Sequence, residues 1–331
     1  MKKIHIAHFG LGPIGMETLR LAATKPWAEI IGAVDIDPAK IGRNLGVFTG
    51  IKALARAKVC GSVEELIDHR KPDLIFHTAV SKLKLACAQL EPIARAGISV
   101  VSSCEELLFP ALREPRLAAR LDKLCRRTGA RIVATGVNPG FVMDLLPICL
   151  TGVSRSVTAV HVQRVVDAST RRASLQRKIG SGLPPAEFRR RFRAGLAGHA
   201  GLKESLALIA HALRWKLDTI TETGDAVVAG RDIETQFLNI KKGQTCGLHQ
   251  RAQGRVEGRI RLTLDLKMYL DAENPHDSIQ IEGEPYLNLV MPGGVAGDQA
   301  TVAALMNTAP RLLAADPGLR LITDLPLARL L

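Results

Sequence analysis

The sequence is poor in aromatic residues and has no long apolar run. Eight phenylalanines, two tryptophans and two tyrosines are spread over 331 residues, which gives little material for the base stacking of single-stranded nucleic-acid binders. No uncharged apolar stretch reaches about 18 residues, so a transmembrane helix is excluded. Residues 1–6 enter a strand-like pattern without the apolar region of a signal peptide. We therefore expect a cytoplasmic protein with no membrane partner.

Paired cysteines are absent as well. The six cysteines stand apart, with no C-x-x-C pair and no histidine cluster nearby, so neither a disulfide framework nor a zinc site is indicated. We expect no metal, and free buried thiols at Cys60, Cys87, Cys104, Cys125, Cys149 and Cys246.

Positive charge is in excess but is spread along the chain. The 45 Lys and Arg against 32 Asp and Glu give a formal net charge of +13; residues 1–147 carry 21 basic and 14 acidic side chains, and residues 148–297 carry 21 and 15. One dense cluster in 171–193 has eight basic side chains against Glu187. Its part at 189–193 is typical of a solvated helix face, whereas the basic residues of 171–178 could reach a crevice and bind a phosphate or carboxylate. The sequence contains no nucleic-acid-binding motif, so we expect no nucleic-acid partner.

The first half of the chain alternates strand and helix patterns. Strand-like runs cover residues 2–9, 30–34, 72–79, 97–103 and 130–135, with helical patterns at 16–23, 81–96 and 110–128. Strands separated by helices of this length form a parallel sheet with right-handed crossovers. The sequence therefore predicts an α/β fold whose N-terminal domain, residues 1–147, is a Rossmann domain with a doubly wound parallel sheet.

The pattern changes beyond residue 147. A strand over 157–166 precedes an Arg-rich helical stretch over 171–216, and five alternating runs follow within 219–284. We expect a C-terminal α+β domain built on a mixed or antiparallel sheet over residues 148–297. Residues 298–331 are expected to pack back on the Rossmann domain, with a helix over 299–313 that breaks at Pro310.

A glycine motif links the first strand to the first helix. In a dinucleotide fold the first glycine makes the tight turn, the second admits the pyrophosphate and the third lets the helix pack on the strand. The pyrophosphate then lies at the helix N-terminus. The motif alone is a weak signal, but the strand before it, the helix after it and an acid at the end of the next strand are all in place. We predict that Gly10, Gly12, Pro13, Ile14 and Gly15 bind NAD(P)H.

Asp35 is that acid, 20 residues after Gly15. A carboxylate at this spacing hydrogen-bonds the ribose hydroxyls. It also repels a 2′-phosphate, which favours NAD over NADP. Lys40 and Arg43 follow closely and could offset the repulsion, so both cofactors remain open.

Two further strand ends carry candidate residues. Ligands of parallel sheets bind at the carboxyl ends of the strands, where Thr78 and Ala79 follow one strand and are expected to contact the cofactor. Glu105 and Glu106 follow the next strand. Either acid could act as a general acid/base, or both could be first-turn acids that a helix dipole favours. His77 is interpreted as a buried strand-end histidine rather than a catalyst.

Several segments resemble the native amine dehydrogenases, a group related to 2,4-diaminopentanoate dehydrogenase within the dihydrodipicolinate-reductase-like superfamily. They are the glycine loop, Val34–Pro38, Ser102–Leu107, Thr135–Asp144, Arg164–Arg172 and Gln176–Gly180, so the similarity covers the whole chain. The Cys-Glu-Glu and Asn-Pro-Gly-Phe blocks within them are the specific parts. The paired histidines and the Lys and Ser-Gly-Thr loop of dihydrodipicolinate reductase proper are absent, which argues against a role in lysine biosynthesis.

The resemblance implies an amine dehydrogenase. Such an enzyme carries out NAD(P)H-dependent reductive amination of a small ketone or aldehyde with ammonia, and the reverse oxidative deamination of an amine. By the resemblance, Glu105 handles protons on ammonia and the carbinolamine, with Glu106 as the fallback. 2,4-Diaminopentanoate dehydrogenase, or another imine or carbonyl reductase of the superfamily, is an alternative. A non-catalytic nucleotide-sensing or nucleic-acid-docking protein that uses the basic cluster is an alternative of another class.

The resemblance also implies the walls of the site and the assembly. Asn138 and Pro139 would line the nicotinamide side. Phe141 with Leu145 or Leu146 would line the substrate pocket. The second domain would form a homodimer.

Overall fold

A computed structural model describes residues 3–330 of the chain. Lys2, which begins the first predicted strand, and Leu331, which ends the predicted C-terminal segment, lie outside the described residues. The chain divides into two compact units. The first comprises the residues up to Phe141 and those from Ala296 onward, and the second comprises Val142–Val295.

The strands, in chain order, are β1 (Ile4–Phe9), β2 (Ala28–Val34), β3 (Lys58–Cys60), β4 (Leu74–His77), β5 (Ser99–Ser102), β6 (Arg131–Ala134), β7 (Ser156–Asp167), β8 (Thr219–Val228), β9 (Ile233–Glu234), β10 (Asn239–Ile240), β11 (Thr245–Val256), β12 (Arg259–Tyr269), β13 (His276–Glu284), β14 (Leu287–Pro292) and β15 (Gly318–Arg320). The α-helices are α1 (Pro13–Ala22), α2 (Leu45–Thr49), α3 (Val63–His69), α4 (Leu83–Arg95), α5 (Pro115–Thr128), α6 (Leu145–Thr151), α7 (Ala173–Lys178), α8 (Pro185–Arg193), α9 (Leu202–Ala212) and α10 (Gly297–Leu313).

Seven parallel strands form the sheet of the first unit, in the order β15-β6-β5-β4-β1-β2-β3. Helices α3, α4 and α5 bury one face through side chains such as Leu66, Leu90 and Leu121. Leu19 of α1 and Leu45 of α2 bury the other face, on which α10 also packs against α1, β5 and β6. Helices on both faces of a parallel sheet make the doubly wound fold that the sequence predicts.

The second unit is built on a six-stranded mixed sheet, in the order β14-β13-β7-β12-β11-β8. Its one parallel pairing is β7 with β12, and its other pairings are antiparallel. Helices α6, α8 and α9 pack on its strands. The predicted α+β class is therefore confirmed for this part of the chain.

The helical region expected over 171–216 contains three helices, α7 to α9, separated by turns that contain glycines with positive φ. Two other expectations on individual elements were wrong. The run 233–240 forms the short antiparallel pair β9 and β10. Helix α10 continues through Pro310, because this proline lies in the last turn and removes a single backbone donor. Among residues 3–330, no helix has the length and apolarity needed to cross a membrane.

Candidate active site

Five loops leave the first-unit sheet side by side at one edge. At each strand end the first loop residue donates its N–H to the last residue of the neighbouring strand, which holds the ends level. These bonds run from Asp35 to Cys60 (3.2 Å) and, at 2.9 Å each, from Gly10 to Val34, Thr78 to Phe9, Ser103 to His77 and Thr135 to Ser102. The loops that the sequence places at one edge therefore lie in a row.

The strand order reverses within this row, between β1 and β4. A dinucleotide lies across the crevice at such a reversal in open parallel sheets. Asp35 and Ser103 are three strand spacings apart, about 14 Å. We call the loops after β1 and β2 (residues 10–15 and 35–43) the cofactor end, and the loops after β4, β5 and β6 (residues 78–79, 103–106 and 135–140) the reaction end.

Two glycines of the cofactor end are needed for close packing. Gly10 has φ +92°, and a Cβ there would lie 3.0 Å from Ala79 Cα. A Cβ on Gly15 would overlap Gly10 O and lie 2.7 Å from Thr78 Oγ1. Thr78 Oγ1 itself donates to Gly10 O at 2.9 Å. The turn, helix α1 and the loop after β4 are thus packed backbone to backbone.

Gly12 differs because a Cβ there would meet nothing within 4 Å. It is the N-cap of α1, with Pro13 at the first helical position, where the missing proline N–H costs no helical bond. Thr18 Oγ1 donates a hydrogen bond to Ile14 O at 2.8 Å. The open space over Gly12 at a helix N-terminus fits the pyrophosphate of a dinucleotide.

Asp35 is nearly buried, 7% exposed, and is bound by three donors. Oδ2 accepts from Leu11 N (2.7 Å) and Lys40 Nζ (3.2 Å), and Oδ1 accepts from Asp37 N (2.9 Å). Burial opposes ionisation, but the two backbone donors and the Lys40 ammonium outweigh it, so the pKa of Asp35 lies below its usual value. A carboxylate has about four lone pairs, so Oδ1 keeps one for a ribose hydroxyl.

Arg43 contacts an aromatic ring of α2. Its guanidinium stands 5.8 Å above the Phe48 ring, and its side chain is exposed. A contact between Arg43 and the cofactor therefore stays a prediction.

Glu106, at the reaction end, holds helix α4. It is 6% exposed. Oε2 accepts from Leu83 N at 2.8 Å, and Oε1 lies 3.0 Å from Lys82 Nζ and 3.5 Å from Arg113 Nε. A carboxylate on the first amide of a helix is a structural cap. The contacts of Glu106 therefore favour a role in capping α4 over a role as general acid/base.

Glu105 begins the same 3-10 turn and is half-buried. Successive residues of a 3-10 turn point about 120° apart, so Glu105 and Glu106 face different directions. Because Glu106 is committed to α4, Glu105 remains the candidate acid/base of the pair.

A buried hydrogen-bond chain joins α4 to this turn. His77 Nε2 lies 2.8 Å from Gln89 Oε1, His77 Nδ1 lies 2.9 Å from Ser102 Oγ, and Ser102 Oγ accepts from Cys104 N at 3.0 Å. Burial lowers the pKa of His77 to about 4, although the bond to Gln89 opposes this. His77 is thus a neutral, fully bonded strand-end residue, as expected. Sequence reasoning missed Gln89 and Ser102, because their partners are distant in the chain.

The loop after β6 folds tightly onto its own backbone. The Asn138–Pro139 peptide is cis. Gly140 has φ +123°, and a Cβ there would overlap the Gly136 backbone. Val137 N donates to Thr301 Oγ1 of α10 at 3.3 Å. This places Asn138 and Pro139 at the reaction end, while their contact with nicotinamide stays a prediction.

The predicted pocket residues fall in both units. Phe141 is half-buried and ends its section of the first unit, whereas Leu145 and Leu146 begin α6 in the second unit. Asp144 caps α6 by accepting from Leu145 N at 2.6 Å, and it also accepts from Ser205 Oγ of α9 at 2.6 Å. A common pocket of Phe141, Leu145 and Leu146 stays a prediction.

The basic helix α8 has a solvated face. Arg190 and Arg191 pair with Glu187. Phe188 is buried, and the Phe192 ring lies against Gly198 and Gly224. These two rings are packed in the protein rather than offered for base stacking, which argues against a nucleic-acid surface on this helix.

The thiols offer no nucleophile at the reaction end. Cys104 is buried, and burial raises the pKa of its thiol to about 12. All six cysteines are free, as expected. The expectation that all are buried was wrong for Cys149, which is exposed on α6.

Comparisons with known proteins show which family the chain resembles. Residues 141–331 match the family described as 2,4-diaminopentanoate dehydrogenase C-terminal domain. A 2,4-diaminopentanoate dehydrogenase of Acetoanaerobium sticklandii is 30% identical, over 99% of this chain and 95% of that protein. An amine dehydrogenase of Streptomyces virginiae is 24% identical, over 96% of this chain and 95% of that protein.

Solved structures share the fold. An amine dehydrogenase from Mycobacterium smegmatis matches with a TM-score of 0.88 at 23% identity, covering 98% of this chain and 97% of that one. The family match covers more than half of the chain, and the relative from A. sticklandii spans nearly all of it. The resemblance seen in the sequence is confirmed: the chain belongs to the 2,4-diaminopentanoate dehydrogenase family.

Proposed function

We propose that the protein catalyses NAD(P)H-dependent reductive amination of a small ketone or aldehyde, and the reverse deamination. One carbonyl compound, one ammonium ion, one NAD(P)H and one proton give one alkylammonium ion, one NAD(P)⁺ and one water. The observation that carries the proposal is that Glu106 is bound to Leu83 N and Lys82 and caps α4; we assign the chemistry at the reaction end to the adjacent acid, Glu105.

Residues of the cofactor end bind and orient the dinucleotide. The N-terminus of α1 and the open space over Gly12 receive the pyrophosphate. Asp35 Oδ1 accepts from a ribose hydroxyl. When bound, the cofactor supplies or receives the hydride.

Glu105 moves protons at the reaction end. Its carboxylate takes a proton from ammonium, so that neutral ammonia can attack the carbonyl carbon. It then returns a proton to the carbinolamine hydroxyl, which leaves as water. The ionised carboxylate stabilises the positive iminium that accepts the hydride.

Apolar side chains keep this step dry. We propose that Asn138 and Pro139 lie against the nicotinamide and that Phe141 contributes an apolar wall beside them. Exclusion of water favours reduction of the iminium over its hydrolysis.

Both nicotinamide cofactors fit the cofactor end. Asp35 alone would repel a 2′-phosphate, but Lys40 lies 3.2 Å from Asp35 and offsets its charge. We therefore propose dual use of NADH and NADPH, with NADH preferred.

A homodimer through the second unit is part of the proposal. Along β7 and β12, residues such as Val162 and Leu264 are buried, whereas the alternate residues His161, Gln163 and Thr263 are polar and half-buried. Such a face suits contact with a like surface of a second copy. Light scattering should give twice the chain mass of 35.7 kDa. The cytoplasmic location stays a prediction, which the free thiols support.

Deamination of 2,4-diaminopentanoate is a second candidate, favoured by the relative at 30% identity. That substrate has a carboxylate, which needs a cation. The 168–172 loop offers Arg171 and Arg172, both half-buried, and Gln176 Nε2 holds this loop by donating to three of its carbonyls at 3.0–3.1 Å. An Arg171→Ala variant should raise KM for 2,4-diaminopentanoate while leaving KM for an uncharged amine unchanged.

The test is NAD(P)H consumption with a panel of small ketones and aldehydes, with and without ammonium. We expect turnover that depends on ammonium and yields the amine. Turnover without ammonium that yields the alcohol would identify a carbonyl reductase instead. No turnover in either direction, together with salt-sensitive DNA binding, would support the non-catalytic alternative.

A further inference from the structure

We propose that Cys60, Glu65 and His69 form a binding site for a zinc-like divalent cation. The sulfur, one carboxylate oxygen and one ring nitrogen of these residues lie within 4.8 Å of one another. Cys60 ends the edge strand β3, and the other two residues lie on α3. The site is separate from the reaction end, and the proposal does not depend on the activity proposed above.

The local fold brings the three groups together. Glu65 and His69 are four residues apart on α3, so their side chains share one face of the helix. The turn between β3 and α3 is short and tied down: Gly61 N donates to Glu65 Oε2 at 2.7 Å, and Ser62 Oγ accepts from Glu65 N at 3.1 Å. The bond from Gly61 also orients the Glu65 carboxylate, as hydrogen bonds to metal ligands commonly do.

The donor set suits zinc. Thiolate, imidazole and carboxylate bind Zn²⁺ at about 2.3, 2.0 and 2.1 Å, in tetrahedral geometry with water in the fourth position. Those bond lengths require the donor atoms to lie about 3.5 Å apart; the three atoms lie within 4.8 Å of one another, so any contraction on binding is small. Glu65 and His69 are exposed and can make this adjustment by side-chain rotation.

A groove gives access to the site. Cys60 and His69 line a cavity of about 510 Å³ between β2, β3 and α3. Lys58 and Arg56 also line it, whereas Arg70 in the same wall is paired with Glu29 at 2.6 Å. The thiol of Cys60 is the soft donor in the set, so a thiolate-seeking metal is the expected ligand.

The absence of C-x-x-C pairs and histidine clusters was the basis for expecting no metal. That absence does not exclude a mixed set of ligands from one turn and one helix. The pattern here is Cys60, four residues, Glu65, three residues and His69, which only the strand-to-helix turn brings together.

Cobalt(II) is the probe, because a thiolate ligand gives an intense near-ultraviolet charge-transfer absorption. The chelator-treated full-length protein is titrated with CoCl2 and then with ZnCl2. We expect one equivalent of cobalt to give this band and zinc to abolish it. Cys60→Ser should remove the band, and His69→Gln should weaken cobalt binding by about tenfold or more while keeping the band.

Cys149→Ser is the matched control, because it removes the exposed cysteine and should leave the titration unchanged. Zinc should also raise the thermal midpoint of wild type and of Cys149→Ser, and should raise that of His69→Gln by less, because this variant binds the metal more weakly and its exposed position keeps folding intact. A wild type without the band overturns the proposal. So does a band that survives in Cys60→Ser or is lost in Cys149→Ser.

Discussion

The two ends of the loop row are built on different principles. At the cofactor end the constraints are close backbone contacts: Gly10 packs against Ala79, Gly15 packs against Gly10, and Gly12 faces open space. At the reaction end the constraints are hydrogen bonds of side chains. Glu106 reaches Leu83, and His77 reaches Ser102. The shape of the cofactor end therefore depends on small residues. The reaction end depends on a hydrogen-bond network that gives Glu106 a structural role and distinguishes it from Glu105.

The largest effect should come from separating the two acids. Glu105→Gln should lower kcat for amination by about a thousandfold, the usual range for loss of an acid/base group, with an unchanged Kd for NADH. Glu106→Gln keeps an acceptor for Leu83 N but loses the charge opposite Lys82. It should retain kcat within a few fold while lowering the thermal midpoint. The reverse pattern, with Glu106→Gln inactive and Glu105→Gln active, would exchange the roles.

Two glycine substitutions test the packing of the cofactor end. Gly15→Ala puts a methyl group into Gly10 O and should cost about 3 kcal/mol of unfolding free energy, as overpacking does. Gly12→Ala places its methyl group in open space and should fold normally, yet weaken cofactor binding about tenfold or more by blocking the pyrophosphate. Denaturant unfolding and NADH fluorescence titration measure the two quantities. Equal loss of stability in both variants would contradict the packing argument.

The buried hydrogen-bond network around His77 should make the free energy of unfolding depend on pH. The pKa of His77 is lowered from 6.5 to about 4, so between these values the unfolded chain binds the extra proton. The stability that neutral His77 contributes to the folded protein is therefore complete above pH 6.5. As the pH falls towards 4, the free energy of unfolding decreases by up to about 3 kcal/mol.

His77→Asn should reduce this drop in unfolding free energy, and the exposed His69→Gln should not. His8 is fully buried with its pKa lowered to about 3, so part of the slope will remain in His77→Asn. A slope identical to that of wild type would exclude a neutral, buried His77.

The smallest effect concerns cofactor choice. Lys40 is partly exposed and lies beside Asp35. Lys40→Ala should shift the ratio of kcat/KM for NADPH and NADH about fivefold towards NADH, which is about 1 kcal/mol and typical of a partly exposed charge. Lys52→Ala, also on the surface, is the control. A shift towards NADPH in Lys40→Ala would show that Lys40 does not offset Asp35.

The same contrast explains what the sequence could predict. Gly10 to Gly15 and Asp35 were recognisable because a fixed local spacing encodes their geometry. The doubly wound sheet followed from regular alternation of strands and helices. The choice of Glu105 over Glu106 rested on the family resemblance alone, because the contacts of Glu106 with Leu83 and Lys82 are displayed by no local pattern.

Short or interrupted elements were the other feature that the sequence did not predict. Strand β3 has three residues, and α2 has five, too few to show a period. The composition of the Arg-rich stretch 171–216 is typical of helices even in its turns, which are formed by glycines with positive φ. The Cys60, Glu65 and His69 group depends on one of these short elements, β3, and escaped notice for that reason.

The most direct test of the account is a crystal structure with NAD⁺ and a small amine bound. We predict the Glu105 carboxylate within hydrogen-bond reach of the amine nitrogen, about 3 Å directly or through one water. Glu106 should remain on Leu83 N and Lys82. A structure in which Glu106 faces the amine, or in which Glu105 points away from the nicotinamide, would contradict the division of labour between the two acids.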